Sequence, residues 1–215
     1  MSKVTMFSCK DYFKTGIIER SEAYSLGLEL NFVMNNLNAS TAHFANESFA
    51  VCIFVNDKVD ARALEILYEG GTRLICCMCA GYNMIDIGKA NELGIKVCRV
   101  PAYSPYAVAE FAVGLLLTLN RKIHRAYNRT REGNFEVTGL NGFDLHGKTV
   151  AVIGTGKIGS IFCRIMNGFG CRILAYDIIQ NPEIQSFVEY TDLSNCFSQA
   201  DIVALFVPLF PDTYH

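Results

Sequence analysis

The stretch from Lys148 to Gly159 constrains the fold more than any other part of this sequence. A short apolar run, rich in β-branched residues, leads directly into glycines at 154, 156 and 159, spaced G-x-G-x-x-G. An amphipathic helical pattern, a second apolar run and Asp177 follow. Strand, glycine turn, helix, strand and terminal acid together predict the first unit of a dinucleotide-binding fold.

Each glycine of this turn is expected to have a separate structural role. Gly154 permits a tight turn, Gly156 lets the backbone approach a pyrophosphate, and Gly159 lets the helix pack close to the strand. The start of the helix offers unpaired N–H groups and the positive end of its dipole to phosphates. We therefore expect cofactor contacts from Gly154, Thr155, Gly156, Lys157, Ile158 and Gly159.

The acid that ends the second strand predicts which cofactor binds. Asp177 follows Tyr176 and lies roughly 20 residues beyond Gly159, where a carboxylate that binds the adenosine ribose hydroxyls is expected. It would repel the 2′-phosphate of NADP, and Ile178 and Ile179 supply no arginine to hold one. The cofactor is therefore predicted to be NAD, with Tyr176 and Asp177 among its contacts. A G-x-G-x-x-G match alone is weak, because glycines also punctuate ordinary strand–helix turns.

Composition bounds the remaining possibilities. With 215 residues, 51% of them apolar, the chain can form one large domain or two modest ones with a substantial core. A net charge of −2 without a basic block argues against nucleic acid, and no long apolar segment or signal peptide points to a membrane. The nine cysteines then favour a reducing, cytoplasmic compartment with free thiols.

A cysteine cluster invites a metal interpretation. Cys76 and Cys79 stand at C-x-x-C spacing with Cys77 between them, but no second pair or suitably spaced histidine accompanies them. The cluster lies in a run that is typical of a buried strand. We expect core cysteines and no metal site.

Residues 1–101 alternate apolar runs with helical patterns. The runs predict strands at 4–8, 28–34, 49–55, 72–79 and 95–100, and the patterns predict helices over 17–26, after Asp60 and after Asp86. This order predicts an open parallel sheet with flanking helices. In such sheets ligands bind at the carboxyl ends of strands, where Asn56, Ala80-Gly81 and the segment 101–103 lie.

From Ser104 onward, the alternation of short apolar runs and helical patterns gives way to one long helical pattern, which predicts a domain boundary near 101–105. A long helical pattern runs from Pro105 to Tyr127, and its first half is apolar nearly all round. A bundle interior or a subunit interface would each explain that pattern. Beyond Asp177 we expect a short strand at 188–190, a helix over 192–199 and a buried strand from 201 to 206.

Several runs resemble the D-specific 2-hydroxyacid dehydrogenases. They are residues 79–83, 99–105 and 107–110, and the runs 119–129, 131–135 and 142–149 resemble the D-lactate dehydrogenase branch of that family. The resemblance implies a flavodoxin-like parallel-sheet substrate domain over 1–101, an incomplete Rossmann NAD-binding domain over 102–215, and a cleft between them. It also implies that NADH reduces pyruvate to D-lactate by hydride transfer.

The same resemblance assigns site residues. It places the substrate carboxylate on backbone N–H groups of Ala80 and Gly81, with Tyr103 lining the pocket and Asn56 facing it. The turn at Val207-Pro208 is expected to contact NAD, and the helix after Pro105 is expected to form a homodimer interface. A small 2-keto or 2-hydroxy acid is the implied substrate.

This sequence also departs from the family. Met78 and Phe206 stand where relatives usually carry arginine and often carry histidine. The family's catalytic arginine, acid and histidine are expected beyond His215, so no catalytic residue is predicted in this chain, and the chain alone is expected to have little activity. His124 and His146 fall outside the cleft, and His215 matches a non-catalytic position.

Two other functions remain open. One keeps the fold and changes the substrate to glyoxylate, hydroxypyruvate or a bulkier 2-keto acid. The other is a non-catalytic short form that binds NAD or dimerises.

Overall fold

The computed structural model describes residues 2–209, 213 and 214, and the chain divides into two compact units, Met1–Tyr103 and Ser104–His215. Each unit is an α/β structure built on a sheet whose strands are all parallel. The predicted fold class is confirmed. The ligand-binding roles predicted for the two units remain predictions.

The sheet of the first unit has the flavodoxin-like strand order. Its strands are β1 (Ser2–Met6), β2 (Leu28–Phe32), β3 (Ala50–Ile53), β4 (Leu74–Cys77) and β5 (Lys96–Arg99), arranged β2-β1-β3-β4-β5. β2, β3, β4 and β5 are each shorter than the apolar run that predicted them, because the outer residues of those runs enter the loops, whereas β1 has the predicted length but begins two residues earlier, at Ser2. β3, β4 and β5 are neighbours, so the loops that follow them lie along one edge of this sheet.

Three helices accompany this sheet: α1 (Asp11–Ala23), α2 (Ala61–Glu69) and α3 (Ile87–Glu92). The predicted helix starts after Asp60 and Asp86 are confirmed. The carboxylate of Asp60 caps α2 by accepting the N–H of Ala63 at 3.0 Å, and that of Asp86 caps α3 by accepting the N–H of Lys89 at 2.9 Å. The prediction for α1 was wrong about its limits. The helix begins at Asp11, six residues before the apolar pattern, and an acid in the first turn suits the helix dipole.

The core of the first unit fills one face of the sheet beneath α2 and α3. Strand and helix side chains there have no solvent exposure, among them Val51, Ile53, Leu64 and Ile75. A full burial of this kind contributes about 1.5–3 kcal/mol for each large aliphatic side chain. This face fixes the register of the strands and therefore the positions of the loops at their carboxyl ends.

The second unit carries the first four strands of a Rossmann sheet. They are β6 (Thr149–Ile153), β7 (Arg172–Tyr176), β8 (Val188–Tyr190) and β9 (Ile202–Leu205), in the order β8-β7-β6-β9. This corresponds to the order 3-2-1-4 with which a Rossmann domain begins. Two helices connect the strands, α6 (Lys157–Gly168) and α7 (Leu193–Gln199), and the carboxylate of Asp192 caps α7 by accepting the N–H of Asn195.

The long helix predicted from Pro105 to Tyr127 is two helices, α4 (Pro105–Asn120) and α5 (Ile123–Arg131). The break is fixed by side chains. The buried amide of Asn120 donates to the carbonyl of Phe143 at 2.8 Å and accepts its N–H at 2.9 Å, and the ammonium of Lys122 donates to the carbonyl of Asn141. Lys122 itself takes a left-handed conformation, with φ of 52°, so the helix cannot continue.

One side of α4 packs against α6. Ala109 and Val113 lie in a buried cluster with Phe162 and Met166 of α6. This packing accounts for only part of the apolar surface of α4. None of the helices in the described part of the chain is long and apolar enough to cross a membrane.

Candidate functional site

The turn between β6 and α6 is built so tightly that a side chain would not fit at its first glycine. Gly154 has φ of +93°, in the region that favours glycine. A Cβ atom there would lie 2.8 Å from the carbonyl oxygen of Phe206, the residue after β9. The conformation and the contact both require glycine at this position.

The other two glycines differ sharply in their surroundings. A Cβ on Gly159 would collide with the carbonyl oxygen of Gly154, so the first turn of α6 lies directly against the end of the glycine turn. Gly156 has no atom within 4 Å of the position where a Cβ would be, and its backbone is exposed. Gly159 therefore serves packing within the chain, whereas Gly156 leaves open space for something outside it.

Backbone donors surround that open space. Gly156 is the N-cap of α6 and has no side chain to cap the helix. Among residues 2–209, 213 and 214, no acceptor is found for the N–H groups of Gly156, Lys157 and Ile158. Three unpaired donors at the positive end of a helix dipole form a site for an anion such as a pyrophosphate.

Asp177 is fixed beside this turn at the carboxyl end of β7. Its carboxylate accepts the N–H of Thr155 at 2.5 Å, the hydroxyl of Thr155 at 3.1 Å and the N–H of Ile179 at 3.1 Å. Burial alone would raise the pKa of Asp177, but these hydrogen bonds outweigh it and hold the pKa below the ordinary value for aspartate. The group is therefore an anion at neutral pH and is held in one orientation.

Sequence reasoning missed two residues that hold this arrangement. The hydroxyl of Tyr190 donates to the hydroxyl oxygen of Thr155 at 2.8 Å and accepts the N–H of Asn181 at 2.9 Å. The side-chain amide of Asn181 also donates to the carbonyl of Thr155 at 3.3 Å. Tyr190 was predicted only as part of a short strand, and no role was predicted for Asn181. Their part in the site depends on β8 lying beside β7, which no local pattern reveals.

The segment after β9 lies against the same turn. The ring of Phe206 packs on that of Phe162 with ring centres 5.1 Å apart, and its N–H pairs with the carbonyl of Ile153 at 2.8 Å. Val207 is close enough to lie 3.2 Å from a Cβ placed on Gly154, and Val207 and Pro208 are both exposed. The aromatic ring at position 206 thus belongs to the core beneath the turn.

In the first unit, the turn after β3 presents Asn56. Asn56 is exposed, and its carbonyl accepts the amide of Asn36 at 2.8 Å. The next residue, Asp57, is buried and was not predicted to matter. Its carboxylate accepts the hydroxyl of Ser8 at 2.7 Å and the N–H groups of Leu37 and Phe54 at 2.7 and 2.5 Å. Asp57 therefore ties together the loops that follow β1, β2 and β3.

The loop after β4 is held from β5. The guanidinium of Arg99 donates to the carbonyl of Ala80 at 2.9 Å, and the thiol of Cys79 donates to the carbonyl of Gly81 at 3.3 Å. Both carbonyls are thereby occupied, whereas the N–H groups of Ala80 and Gly81 have no acceptor within the described residues. Unpaired neighbouring amides suit a carboxylate.

The remaining predicted positions near this edge differ in exposure. Tyr103 is 71% exposed. Met78 is half-buried, and its N–H pairs with the carbonyl of Ile53 at 2.8 Å. Because β3, β4 and β5 adjoin, Asn56, Ala80 and Gly81 follow neighbouring strands of one sheet. The structure therefore brings these predicted residues to one edge of the first unit.

The expectation that the cysteine cluster is buried core was partly wrong. Cys77 is buried, whereas Cys76 and Cys79 are half-buried, since they lie on the other face of β4 and in its exit loop. The described residues contain no group of three or more His, Cys, Asp or Glu side chains that could hold a metal ion. His124 and His146 are exposed, and His215 lies outside the described residues.

Comparison with known proteins decides the family. Residues 113–215 match the family described as D-isomer specific 2-hydroxyacid dehydrogenase, NAD binding domain. A D-lactate dehydrogenase of Curvularia clavata is 49% identical over 99% of this chain and 62% of its own length. The apo-structure of D-lactate dehydrogenase from Escherichia coli is 48% identical, with a TM-score of 0.88 over 99% of this chain and 67% of that one.

The chain belongs to the D-isomer specific 2-hydroxyacid dehydrogenase family. Its fold is also that of the D-lactate dehydrogenase from Aquifex aeolicus complexed with NAD and lactic acid, at 27% identity and a TM-score of 0.85 over 99% of this chain and 62% of that one. The second unit carries the family's NAD-binding domain. The chain spans 62–64% of the length of curated relatives in this family.

The contrast between two glycines of this dehydrogenase turn gives a first prediction. Gly159→Ala should lower the free energy of unfolding of the second unit by about 1–3 kcal/mol or more, because its Cβ meets the carbonyl oxygen of Gly154. Gly156→Ala meets nothing and loses only a favourable N-cap, which costs about 1 kcal/mol or less.

Urea titration monitored by circular dichroism measures both variants. Gly168→Ala, in the same helix and with nothing within 4 Å of the added Cβ, is the matched control and should not destabilise the chain. Equal stability of the Gly159→Ala variant and the unmodified chain would contradict the close approach.

Proposed function

We propose that the protein carrying this chain is an NAD-dependent dehydrogenase that reduces pyruvate to D-lactate. The observation that carries the proposal is the glycine turn with its unpaired N–H groups beside the anchored carboxylate of Asp177. Membership in the D-isomer specific 2-hydroxyacid dehydrogenase family supports the reaction class. Relatives named D-lactate dehydrogenase at 48–49% identity support pyruvate as the keto acid.

The residues of the turn fit NAD. The open space at Gly156 admits a pyrophosphate, and the N–H groups of Gly156, Lys157 and Ile158 would donate to it. Asp177 would accept hydrogen bonds from the adenosine ribose, with Tyr176 beside it. Thr155, Gly154 and Gly159 shape the turn, and Val207-Pro208 follows β9 next to it. NAD, when bound, supplies the hydride acceptor or donor.

The electrostatics at Asp177 favour NAD over NADP. A carboxylate with a lowered pKa keeps its charge throughout the neutral range and would repel a 2′-phosphate. The side chains of Ile178 and Ile179 are 90% and 79% exposed and offer no positive charge. The ribose hydroxyls of NAD suit this environment better.

The proposed binding site for the substrate is the loop after β4. We assign the carboxylate of the keto acid to the N–H groups of Ala80 and Gly81, whose carbonyls are already occupied. Arg99 holds that loop through the Ala80 carbonyl, which makes Arg99 a positioning residue. Tyr103 and Asn56 are exposed and available to line the substrate pocket. No residue of this chain is assigned to proton transfer.

We also assign homodimerisation to α4. Phe111, Leu115 and Leu119 recur every four residues and are 68%, 49% and 69% exposed, so they form one apolar stripe away from α6. A stripe of this kind is costly in water unless a partner covers it. The nine cysteines, all of them free, suit a reducing cytoplasmic location.

The dimer assignment predicts the effect of a charge within the stripe. Leu115→Asp should shift the chain to a monomer in analytical ultracentrifugation, because an aspartate cannot be buried unpaired at an interface. Phe197→Asp, at an exposed aromatic residue of α7, is the control and should leave the assembly unchanged. A monomer before any substitution would refute the assignment.

If the proposed activity is correct, NADH is oxidised when pyruvate is added. We expect a full-length protein carrying this chain to form D-lactate, and its kcat/KM for pyruvate to exceed those for glyoxylate and hydroxypyruvate. A preference for one of the latter would replace the substrate but keep the family reaction. No NADH oxidation with any 2-keto acid, together with intact NAD binding, would favour the non-catalytic form. The same assay on residues 1–215 alone tests the prediction of little activity.

A further inference from the structure

Three cysteines stand side by side on neighbouring strands of the first unit. Cys52 of β3 is paired in register with Cys76 of β4, and Cys76 is paired in register with Cys98 of β5. Residues paired across parallel strands project from the same face of the sheet. The thiols therefore form a row that leads to β5, the edge strand, where Cys98 is exposed.

The two thiols nearest the sheet edge, those of Cys76 and Cys98, are close enough to react with each other. The Sγ atoms of Cys76 and Cys98 lie 3.4 Å apart. Neighbouring strands are about 4.8 Å apart, which falls within the range of roughly 4.4–6.8 Å that disulfides span between Cα atoms. Small rotations about the Cα–Cβ bonds would bring the sulfurs to bonding distance without breaking the sheet.

We propose that Cys76 and Cys98 are a thiol–disulfide modification site, oxidised by low-molecular-weight disulfides such as glutathione disulfide. The exposed thiolate of Cys98 attacks the small disulfide, forms a mixed disulfide and releases one glutathione. The thiolate of Cys76 then attacks the Cys98 sulfur, forms the Cys76–Cys98 bond and releases the second glutathione. The protein loses two electrons and two protons, and the small disulfide gains them.

Exposure sets the order of the two steps. Cys98 is exposed, whereas Cys76 is half-buried and meets a reagent less readily. Burial raises the pKa of Cys98, and the hydrogen bond with Cys52 together with burial raises the pKa of Cys76, so both steps are slow at neutral pH and quicken as each thiol ionises. Of the other thiols, Cys9, Cys77, Cys163, Cys171 and Cys196 are buried, which protects them from the reagent.

Cys76 and Cys98 lie next to the residues that hold the loop after β4. Cys98 immediately precedes Arg99, which holds the carbonyl of Ala80 in the loop after β4. Cys76 lies on the strand that leads into that loop. A disulfide would covalently join the two strands that carry these partners. The chemistry stands independently of the proposed dehydrogenase activity and would persist if that activity were disproved.

The test uses the folded 215-residue chain, oxidised by excess glutathione disulfide and then alkylated and analysed by mass spectrometry. The unmodified chain should lose two hydrogen atoms, give a linked peptide pair containing Cys76 and Cys98, and recover fully in dithiothreitol. Cys76→Ser should instead retain one glutathionyl group on Cys98, because the resolving thiol is absent. Cys98→Ser should give neither product.

Cys52→Ser is the matched control and should still form the bond, since Cys52 lies one strand further in. Circular dichroism before oxidation verifies that each variant is folded. Glutathionyl groups that accumulate on Cys98 in the unmodified chain without a linked peptide pair would overturn the proposal. So would a Cys52–Cys76 bond in its place, or no reaction at all in the folded chain.

Discussion

The close approach of α6 to the end of β6 is the constraint on which the second unit depends. The carbonyl oxygen of Gly154 occupies the space where any side chain at position 159 would be. Because the helix starts there, its unpaired N–H groups converge on the open space at Gly156. Thr155, between the glycines, is anchored by Asp177 and Tyr190. Within this one turn, Gly159 allows the close packing of the chain, whereas Gly156 leaves space for a ligand.

In the first unit, side chains hold the loops in place through hydrogen bonds to backbone groups. Its loops at the carboxyl ends of the strands have little regular structure, yet Asp57 fixes three of them and Arg99 fixes a fourth. A buried carboxylate with three donors is expensive to disrupt, since each unpaired partner costs about 1–3 kcal/mol. The exposed Asn56 and the half-buried Ala80 are therefore held on rigid supports, as a binding site requires.

The sequence predicted the elements and the glycine turn because those depend on local patterns. Apolar runs, helix starts such as those at Asp60 and Asp192, and the spacing of the glycines all depend on residues close together along the chain. Contacts distant along the chain were not predictable. The break after Asn120 depends on a loop more than 20 residues away, and the role of Tyr190 depends on strand order. The half-burial of Cys76 likewise depends on which face of β4 the helices cover.

The turn after β6 is proposed to hold the pyrophosphate of NAD, and amide NMR during a titration with NAD measures whether it does. We expect the largest chemical-shift changes at Gly156, Lys157, Ile158 and Asp177. Gly156→Ala should weaken binding at least about tenfold, or about 1.4 kcal/mol, and NADP should bind more weakly than NAD. Changes confined to other parts of the chain, or undiminished binding by the Gly156→Ala variant, would contradict the claim.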